Sequence, residues 1–305
     1  MPGPASTGAR SGARDRRARS QPWAWWCLAP TVVALIVFNY WPLVRTFALS
    51  FQSTDLFGRA AGFAGLDNYR SMLGNPDFQR TLWTTTVFVV LTVLGKVAVG
   101  LALAIPLARR IRGTAFARAS VLVPMAVSAA VAGLAFRALM NPTTGLLDQI
   151  AIALTGEPGG WLTDPTTAMV SIVLVDVWTA IGFVTLLLIA AIDMIPVEVE
   201  EAASIDGASW WRKLRSITLP LITPTLFFIL VTQSVAALRE FTVINVVTGG
   251  GPARATQTLV FDLWAKAFSG TADYAAASAR GVILLVVIAA LTAIQFGVLE
   301  RKVNY

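Results

Sequence analysis

Long apolar stretches, separated by short polar segments, recur along nearly the whole chain. An α-helix needs about 20 predominantly apolar residues to cross the roughly 30 Å hydrocarbon core of a bilayer. With that length as the criterion, the pattern predicts six membrane-spanning helices. They cover residues 24–51, 81–108, 116–140, 166–193, 220–246 and 275–299. We therefore expect an all-α polytopic membrane protein.

The composition supports this fold class. Apolar residues make up 56% of the chain and charged residues only 13%, and the mean hydropathy is +0.68. Soluble globular domains contain about 25% charged residues. The chain has too few charges to cover a water-exposed surface, whereas a lipid-facing surface needs none.

Several kinds of chemistry are excluded by residue content. The sequence contains no His and a single Cys, Cys27, so it has no imidazole base, no intrachain disulfide and no Cys-based zinc site. The phosphate-binding pattern G-x-x-x-x-G-K-[ST] is also absent, and Gly95-Lys96 lies within an apolar stretch. We expect the chain to bind no cofactor and no metal, and to carry out no covalent chemistry.

The chain ends differ in composition from the apolar body. Residues 1–22 contain five Arg and one acidic residue without apolar periodicity, which predicts a disordered basic tail. The apolar stretch that follows is longer than the roughly 7–15 residues of a signal-peptide core, so we predict that it is retained as the first span. Residues 23–299 then form one six-span domain, and residues 300–305 form a short C-terminus.

Lys and Arg are distributed unevenly between the connecting segments. Fourteen of them lie in the N-terminal tail, the turn at 109–118, the loop 194–219 and the C-terminus. Only five lie in the loops 52–80, 141–165 and 247–274. Because cytoplasmic loops carry the excess of Lys and Arg, both termini are predicted to be cytoplasmic. The net charge of +7 therefore indicates topology, and nucleic acid is not an expected partner.

The segment 194–219, between the fourth and fifth spans, has the pattern of a helix-turn-helix element. Pro196 precedes three acidic residues, and acidic residues stabilise the first turn of a helix. Gly207 is positioned to end or bend this helix. A second short helix, Ser209–Ser216, follows, with Arg212, Lys213 and Arg215 exposed. The acidic residues are Glu198, Glu200 and Glu201, and the residues expected along one side of the second helix are Trp211, Leu214 and Ile217.

Seven residues of this segment follow the spacing E-A-A, three residues, G, nine residues, I-x-L-P. They are Glu201, Ala202, Ala203, Gly207, Ile217, Leu219 and Pro220. This spacing resembles that of the membrane permeases of binding-protein-dependent ABC importers, in which the loop docks on a cytoplasmic ATPase. The resemblance implies a type I ABC importer permease fold and an ATPase-coupling role for these residues and Asp206.

The same resemblance implies a set of partners and a location. The expected partners are a second homologous permease subunit, two cytoplasmic ATPase subunits that use ATP and Mg²⁺, an extracytoplasmic substrate-binding protein and the lipid bilayer. The implied location is the bacterial cell membrane.

Further segments resemble one branch of the family. Thr248-Gly249-Gly250-Gly251-Pro252, with Thr256 and Thr258, is similar to a segment of carbohydrate-type permeases. Gln295-Phe296 and 300–305 are similar to the end of the glycerol-3-phosphate permeases within that group, and residues 66–69 extend the family-like pattern towards the first span. The implied cargo is glycerol-3-phosphate or a glycerophosphodiester, and the alternative is a neutral sugar or disaccharide. Two alternatives of another class are an integral membrane enzyme and a secondary transporter with an ion site at Asp176.

Ionisable residues occur within the predicted spans, where each costs at least about 2.5–3.5 kcal/mol at a helix centre. They are Arg45, Lys96, Arg137, Asp176, Asp193, Arg239, Glu240 and Arg280. Arg45 and Asp193 lie near span ends, where an interfacial position is expected. Lys96 and Asp176 are either a structural pair between the second and fourth spans or part of the substrate pathway.

Arg239 and Glu240 are predicted to lie inside the fifth span, where the resemblance places the translocation pathway. Adjacent residues on a continuous helix point about 100° apart, so the two cannot face the same narrow site. A guanidinium group suits a substrate phosphate because its planar fork makes bidentate contacts. Arg137 and Arg280, near the outer ends of the third and sixth spans, are candidates for the entry. The alternative for Arg239 is packing or an ion pair with the second permease.

Overall fold

The computed structural model describes residues 22–55, 60–108, 114–270 and 272–299. The predictions made for the basic tail, for Arg109, Arg110 and Arg112, and for residues 300–305 lie outside these residues. The chain divides into two compact units, Met1–Arg45 and Thr46–Tyr305. In the first unit, the described part is helical from Pro22 onward, and the side chains from Trp26 to Arg45 are exposed.

Helices make up most of the structure. Their bounds are α1 Pro22–Leu35, a π-helical turn Ile36–Tyr40, α2 Trp41–Ser50, α3 Asp67–Leu73, α4 Pro76–Ala108, α5 Thr114–Ala126, α6 Ala129–Leu139, α7 Leu146–Thr155, α8 Pro165–Asp193, α9 Val197–Ile205, α10 Trp210–Lys213, a second π-helical turn Leu214–Thr218, α11 Leu219–Leu221, α12 Thr223–Leu238, α13 Thr242–Val247, α14 Leu259–Phe268 and α15 Tyr274–Leu299. A small antiparallel hairpin, β1 Gln52–Thr54 and β2 Ala60–Phe63, pairs Gln52 with Phe63.

Four uninterrupted helices in the described part of the chain are long and apolar enough to cross a membrane. They are Trp26–Ser50, Pro76–Ala108, Pro165–Asp193 and Tyr274–Gly297. Two bent helix pairs also meet the length and composition criteria, so the structure contains four to six candidate spans. The four continuous helices agree with the first, second, fourth and sixth predicted spans.

The predicted third span, 116–140, is not one straight helix. It consists of α5 and α6, which meet at an angle of 97°. Pro124 lacks an N–H group and occupies the last turn of α5, which weakens its continuation. Ser128 then caps the new helix, because its side chain accepts a hydrogen bond from the Val131 N–H. The apolar pattern continues across this bend and therefore did not reveal it.

The predicted fifth span, 220–246, is interrupted twice. The helical segment Trp210–Leu221 meets α12 at an angle of 65°. α12 then ends at Leu238, and a new helix, α13, starts at Thr242. The prediction of one continuous helix through Arg239 and Glu240 is therefore wrong, and the 100° rule for neighbouring helical positions does not apply to them.

α4 and α8 pack against each other at the centre of the second unit. Glycines on α4 allow the close approach: a Cβ atom at Gly100 would lie 2.6 Å from a methyl carbon of Val184, and one at Gly95 would lie 2.9 Å from Val177. Small residues serve this purpose at helix interfaces in membranes, where close packing replaces the hydrophobic effect as the driving force. One buried cluster on this pair includes Phe88 and extends to α12, α13 and α14.

The segments on the predicted extracytoplasmic side are folded. The loop 52–80 contains the hairpin and α3, the loop 141–165 contains α7, and the loop 247–274 contains α14. The Asn68 side-chain amide holds the first of these loops by donating to the main-chain oxygens of Ser50 and Gln52. These loops therefore present structured surfaces.

Candidate functional site

The first half of the predicted coupling loop, residues 194–219, is the helix α9. It begins after Pro196 and carries Glu198 and Glu200 in its first turn, as the sequence predicts. Acidic side chains there oppose the partial positive charge of the helix N-terminus. Gly207 follows the helix with a φ of +70°, a conformation that glycine adopts at little cost. The predicted turn at Gly207 is thus confirmed.

The second half of the loop is shorter than predicted. α10 covers only Trp210–Lys213, and a π-helical turn replaces the expected continuation to Ser216. The Ser209 side chain caps α10 by accepting a hydrogen bond from the Arg212 N–H. Trp211 is exposed whereas Leu214 is buried, so the two do not share one environment as the predicted side of this helix implies.

Lys213 links the two halves of the loop. Its Nζ donates to Ser204 Oγ and lies 3.5 Å from the main-chain oxygen of Glu200. The prediction that Lys213 is exposed is therefore wrong, since it is half-buried against α9. This contact holds α9 and α10 together as one element.

The eight predicted coupling residues fall into three classes of exposure. Glu201, Ala202, Asp206 and Gly207 are exposed, Ala203 is buried, and Ile217, Leu219 and Pro220 are half-buried. The first part of the motif therefore forms a surface, whereas the second part packs where α11 leads into α12.

Large apolar side chains are exposed on the same loop. Ile205 is 87% exposed, Trp211 62% and Trp210 51%. The two indole rings lie next to each other, with their centroids 6.0 Å apart. Adjacent exposed aromatic and aliphatic groups on a polar loop are typical of a protein-binding surface.

A cleft of about 850 Å³ adjoins this surface. It lies between the ends of α4 and α8 and the coupling loop. Its charged lining residues are Asp193, Glu200 and Lys213, and its apolar lining includes Ile105 and Trp210. The cleft thus lies between the helices of the coupling loop and the ends of α4 and α8.

Lys96 and Asp176 form a buried ion pair between α4 and α8. Their side chains are only 2% and 7% exposed, and Nζ lies 2.8 Å from the carboxylate. The sequence left open whether these residues pair, and the structure shows that they do. The pair neutralises two charges that would each be costly in an apolar environment.

Arg239 and Glu240 occupy the break between α12 and α13, and their side chains differ in exposure. Glu240 is half-buried, and its Oε1 accepts a hydrogen bond of 2.8 Å from the Val243 N–H. Arg239 is exposed, and no carboxylate among the described residues pairs with it.

The two other candidate arginines lie in different surroundings. Arg137 is exposed near the end of α6, and its Nη1 donates to the main-chain oxygen of Val246 at the end of α13. Arg280 is buried, and its Nε donates to Asp262 over 2.5 Å. Arg137 is thus linked to the C-terminal end of α13, whereas Arg280 belongs to a separate cluster.

That cluster centres on Asp262, which the sequence analysis missed. Its carboxylate, 3% exposed, pairs with Arg280 and Arg254 and accepts a hydrogen bond of 2.7 Å from Gln257. Arg254 also reaches Asp77 on α4 over 2.5 Å. The one signal in the sequence was an acidic residue among the apolar positions of the segment that forms α14.

Arg118 is a second residue whose role the sequence did not reveal. It was counted only as one of the basic residues that indicate topology. In the structure it contacts the last residues of α4 and Asp193 at the end of α8. Among the residues described, no group of three or more Cys, Asp or Glu side chains is arranged to hold a metal ion.

Comparison with protein families gives one match over most of the chain. Residues 96–305 match the model of the family described as "Binding-protein-dependent transport system inner membrane component". This range includes the coupling loop, the break at 239–241 and the Asp262 cluster.

Curated relatives are similar over nearly the full length. The chain is 37% identical over 279 residues to the sn-glycerol-3-phosphate transport system permease protein UgpA of Agrobacterium fabrum, covering 91% of this chain and 94% of the relative. It is 38% identical over 281 residues to the UgpA protein of Brucella abortus, with the same coverage. The UgpA protein of Escherichia coli O157:H7 is 35% identical over 279 residues.

Solved structures share the fold at lower sequence identity. A chain of a bacterial ABC transporter involved in the import of the acidic polysaccharide alginate superposes with a TM-score of 0.80 and 21% identity, covering 92% of this chain and 96% of that one. A chain of the bacterial alginate ABC transporter in complex with an alginate pentasaccharide-bound periplasmic protein gives a TM-score of 0.78 at 21% identity, covering 92% and 95%.

Proposed function

The chain belongs to the binding-protein-dependent transport system inner membrane components and is a permease subunit of an ABC importer; we propose that its cargo is glycerol-3-phosphate or a glycerophosphodiester. It is an inner-membrane protein and a transport subunit. The proposed cargo is supported by the names of the relatives and by the exposed Arg239 at the break in the fifth span. A neutral sugar or disaccharide is the competing cargo.

The proposed topology has six spans with both termini in the cytoplasm. Residues 23–299 are the permease domain, and residues 1–22 and 300–305 are cytoplasmic. Each of the two bent helix pairs then counts as one span, and together with the four continuous helices they give six spans. The distribution of Lys and Arg supports this orientation.

The coupling loop is the proposed docking site for an ATPase subunit. Glu201, Asp206 and Gly207 lie on an exposed surface, next to the apolar side chains of Ile205 and Trp210. Aromatic and aliphatic groups of this kind supply much of the free energy of protein association when a partner buries them. Two ATPase subunits, which bind ATP and Mg²⁺, provide the energy for transport.

A second permease subunit and an extracytoplasmic substrate-binding protein complete the proposed complex. One permease chain supplies half of a central pathway, and the binding protein delivers cargo to the folded outer loops. The solved relative in complex with a periplasmic protein supports a partner of this kind.

Arg239 is the proposed cargo-binding residue because it is an exposed cation at an interrupted helix. Irregular backbone at membrane depth is tolerated where it is buried in protein or lines a cavity. Lys96 is neutralised by Asp176, and the carboxylate of Glu240 is engaged by the Val243 N–H. Arg239 is therefore free to make bidentate contacts with a phosphate group.

The other pathway candidates receive different proposed roles. Arg137, which contacts the end of α13, is a second cationic contact for the cargo. Asp176 and Glu240 position the break from the buried side. Arg280 supports the outer end of the pathway through Asp262 without direct contact with cargo.

Replacement of Arg239 by Gln tests the proposed cargo. In proteoliposomes that contain the complete complex and its binding protein, we expect uptake of glycerol-3-phosphate to fall about tenfold or more, since a charge-assisted bidentate contact is lost. Arg239→Lys should retain part of the activity because it keeps the positive charge. It should not reach the wild-type rate because it lacks the planar fork of the guanidinium group. Uptake is measured with radiolabelled glycerol-3-phosphate and, in parallel, with a labelled neutral sugar.

The matched control is Arg45→Gln, which removes an exposed arginine near the end of the first predicted span, outside the proposed binding surfaces. It should leave uptake unchanged. Uptake of glycerol-3-phosphate at the wild-type rate by an intact Arg239→Gln complex would contradict the role of Arg239. Transport of the neutral sugar alone by the wild type would contradict the proposed cargo.

A further inference from the structure

Arg118 connects the ends of three helices on the predicted cytoplasmic side. It lies in the second turn of α5. Its Nε donates to the main-chain oxygen of Leu107 over 2.9 Å, and its Nη2 donates to that of Ala108 over 3.3 Å. Its Nη1 lies 3.5 Å from Asp193 Oδ2. One side chain thus contacts the last residues of α4 and α8 from α5.

The chemistry of these contacts suits arginine in particular. The last carbonyl groups of a helix have no partner within the helix, and they carry the negative end of the helix dipole. A guanidinium group presents five N–H donors in a planar fork, so it can bind two carbonyl oxygens and a carboxylate at once. The ammonium group of lysine is a compact point charge and cannot reproduce this planar, multidentate geometry.

The position of Asp193 connects this contact to the coupling loop. Asp193 is the last residue of α8, and α9 starts at Val197. The intervening residues are held by main-chain hydrogen bonds, from the Met194 N–H to Ala190 and from the Ile195 N–H to Ile192. A displacement of α9 is therefore transferred to Asp193 through a short, hydrogen-bonded connection.

The cleft beside the coupling loop limits direct contact between the helices of the loop and the end of α4. It separates Glu200, Trp210 and Lys213 of the loop from Ile105 and Ala108 at the end of α4. A displacement of the loop therefore reaches α4 and α5 through α8, by the apolar packing of Leu107 and Ile189 and by polar contacts at the edge of this cleft. The Arg118–Asp193 pair is the polar contact there that joins α8 to both of these helices.

We infer that Arg118 is a positioning residue that transmits displacement of the coupling loop to the cytoplasmic ends of α4 and α5. The inference rests on the proposed docking of the ATPase on this loop. When the loop moves, Arg118 makes the ends of the second, third and fourth spans move together. Without it, the cytoplasmic ends of the second and third spans follow the fourth through apolar packing alone.

The test is the number of cargo molecules transported per ATP hydrolysed. The complete complex, with its ATPase subunits and binding protein, is reconstituted in proteoliposomes with the wild-type chain or with Arg118→Gln. We expect Arg118→Gln to keep stoichiometric ATPase binding and cargo-stimulated ATP hydrolysis, while transport per ATP falls about fivefold or more. Arg118→Lys should give an intermediate ratio, because it keeps the charge without the fork.

Asp193→Asn provides an independent variant in case Arg118→Gln fails to assemble. It removes the carboxylate charge and leaves the contacts of Arg118 with Leu107 and Ala108 in place. Its ratio should fall in the same direction. Arg45→Gln, at an exposed position near the end of the first predicted span, is the control and should match the wild type.

Two outcomes distinguish this inference from the proposed function. A wild-type ratio of transport to ATP hydrolysis in the intact Arg118→Gln complex overturns the inference, and so does a lower melting temperature with an unchanged ratio. If the wild-type chain binds no ATPase subunit, the proposed docking function fails instead. Co-purification of the ATPase subunits and a melting curve are therefore measured for every variant.

Discussion

The outer loop, residues 247–274, and the coupling loop, residues 194–219, both connect neighbouring spans, and both turn at glycines with positive φ. They differ in whether their side chains find partners within the chain. In the outer loop, polar groups converge on Asp262, which pairs with Arg280 and Arg254. In the coupling loop, Ile205 and Trp210 remain exposed.

This difference separates a loop that contacts within the chain stabilise from a loop whose apolar surface remains uncovered. The outer loop is held by contacts with α4 and α15 of the same chain, through Asp77 and Arg280. The coupling loop has internal contacts, such as that between Lys213 and Ser204, which fix its shape but leave its apolar surface uncovered. A partner that covers this surface gains the free energy of apolar burial.

The largest expected effect comes from breaking the outer cluster. Among the described residues, Asp262 is the carboxylate that pairs with buried Arg280, so we expect Asp262→Asn to lower the free energy of unfolding by about 3 kcal/mol. The measurement is unfolding of the purified complex in detergent, followed by tryptophan fluorescence. Asp67→Asn, which removes an exposed carboxylate from a surface pair, is the control and should change little. Equal stability of the two variants would show that the cluster does not hold the outer loop.

A smaller effect, on binding instead of stability, is expected for the coupling loop. The double variant Ile205→Ser/Trp210→Ala removes two exposed apolar groups, so we expect ATPase binding to weaken by about 2 kcal/mol or more. The melting temperature of the isolated permease should not change, because neither side chain is buried in it. Affinity is measured by titration of the purified ATPase against the permease in nanodiscs.

The control for that experiment is Leu154→Ser, which alters an equally exposed apolar residue on α7, on the opposite predicted side. It should leave ATPase binding intact. Loss of permease stability in the double variant, with unchanged ATPase affinity, would show that Ile205 and Trp210 stabilise the permease and do not bind the ATPase.

The smallest expected effect concerns the cap of α10. Ser209→Ala removes the side-chain acceptor for the Arg212 N–H, and such a cap contributes about 0.5 kcal/mol in weak cases. Amide hydrogen exchange across residues 209–213 should accelerate about twofold, while exchange in the outer loop stays the same. Ser71→Ala, which removes a side-chain donor on exposed α3, provides the comparison. Exchange that spreads to the outer loop would show that the two loops are not independent.

The spans and the helix-turn-helix element could be predicted because both depend on local pattern. The continuous spans required only long apolar stretches, and α9 required an acidic first turn followed by Gly207. The break at 239–241 could not be predicted in the same way. The apolar stretch continues from Phe241 to Val247 without Pro or Gly, so composition alone favoured an uninterrupted helix.

The polar contacts were harder to predict because their partners are far apart in sequence. Arg254 and Asp77 are separated by 177 positions, and Arg118 and Asp193 by 75. Nothing in the local pattern around Arg118 distinguishes a residue that holds helix ends from one that only indicates topology. Even for Lys96 and Asp176, the sequence suggested a pair but left a role in the pathway equally open.

From the amino-acid sequence one can predict that this chain resides in a membrane, where most of its helices lie, and which loop carries the permease motif. These properties follow from local composition and spacing, because each apolar stretch is transferred into lipid or protein largely independently of the others. Tertiary structure alone decided where the third and fifth spans bend, which carboxylate neutralises each buried cation, and that Arg239 has no such partner among the described residues. The free energy of a buried charge depends on which group lies beside it, and only the packing of distant helices determines that neighbour.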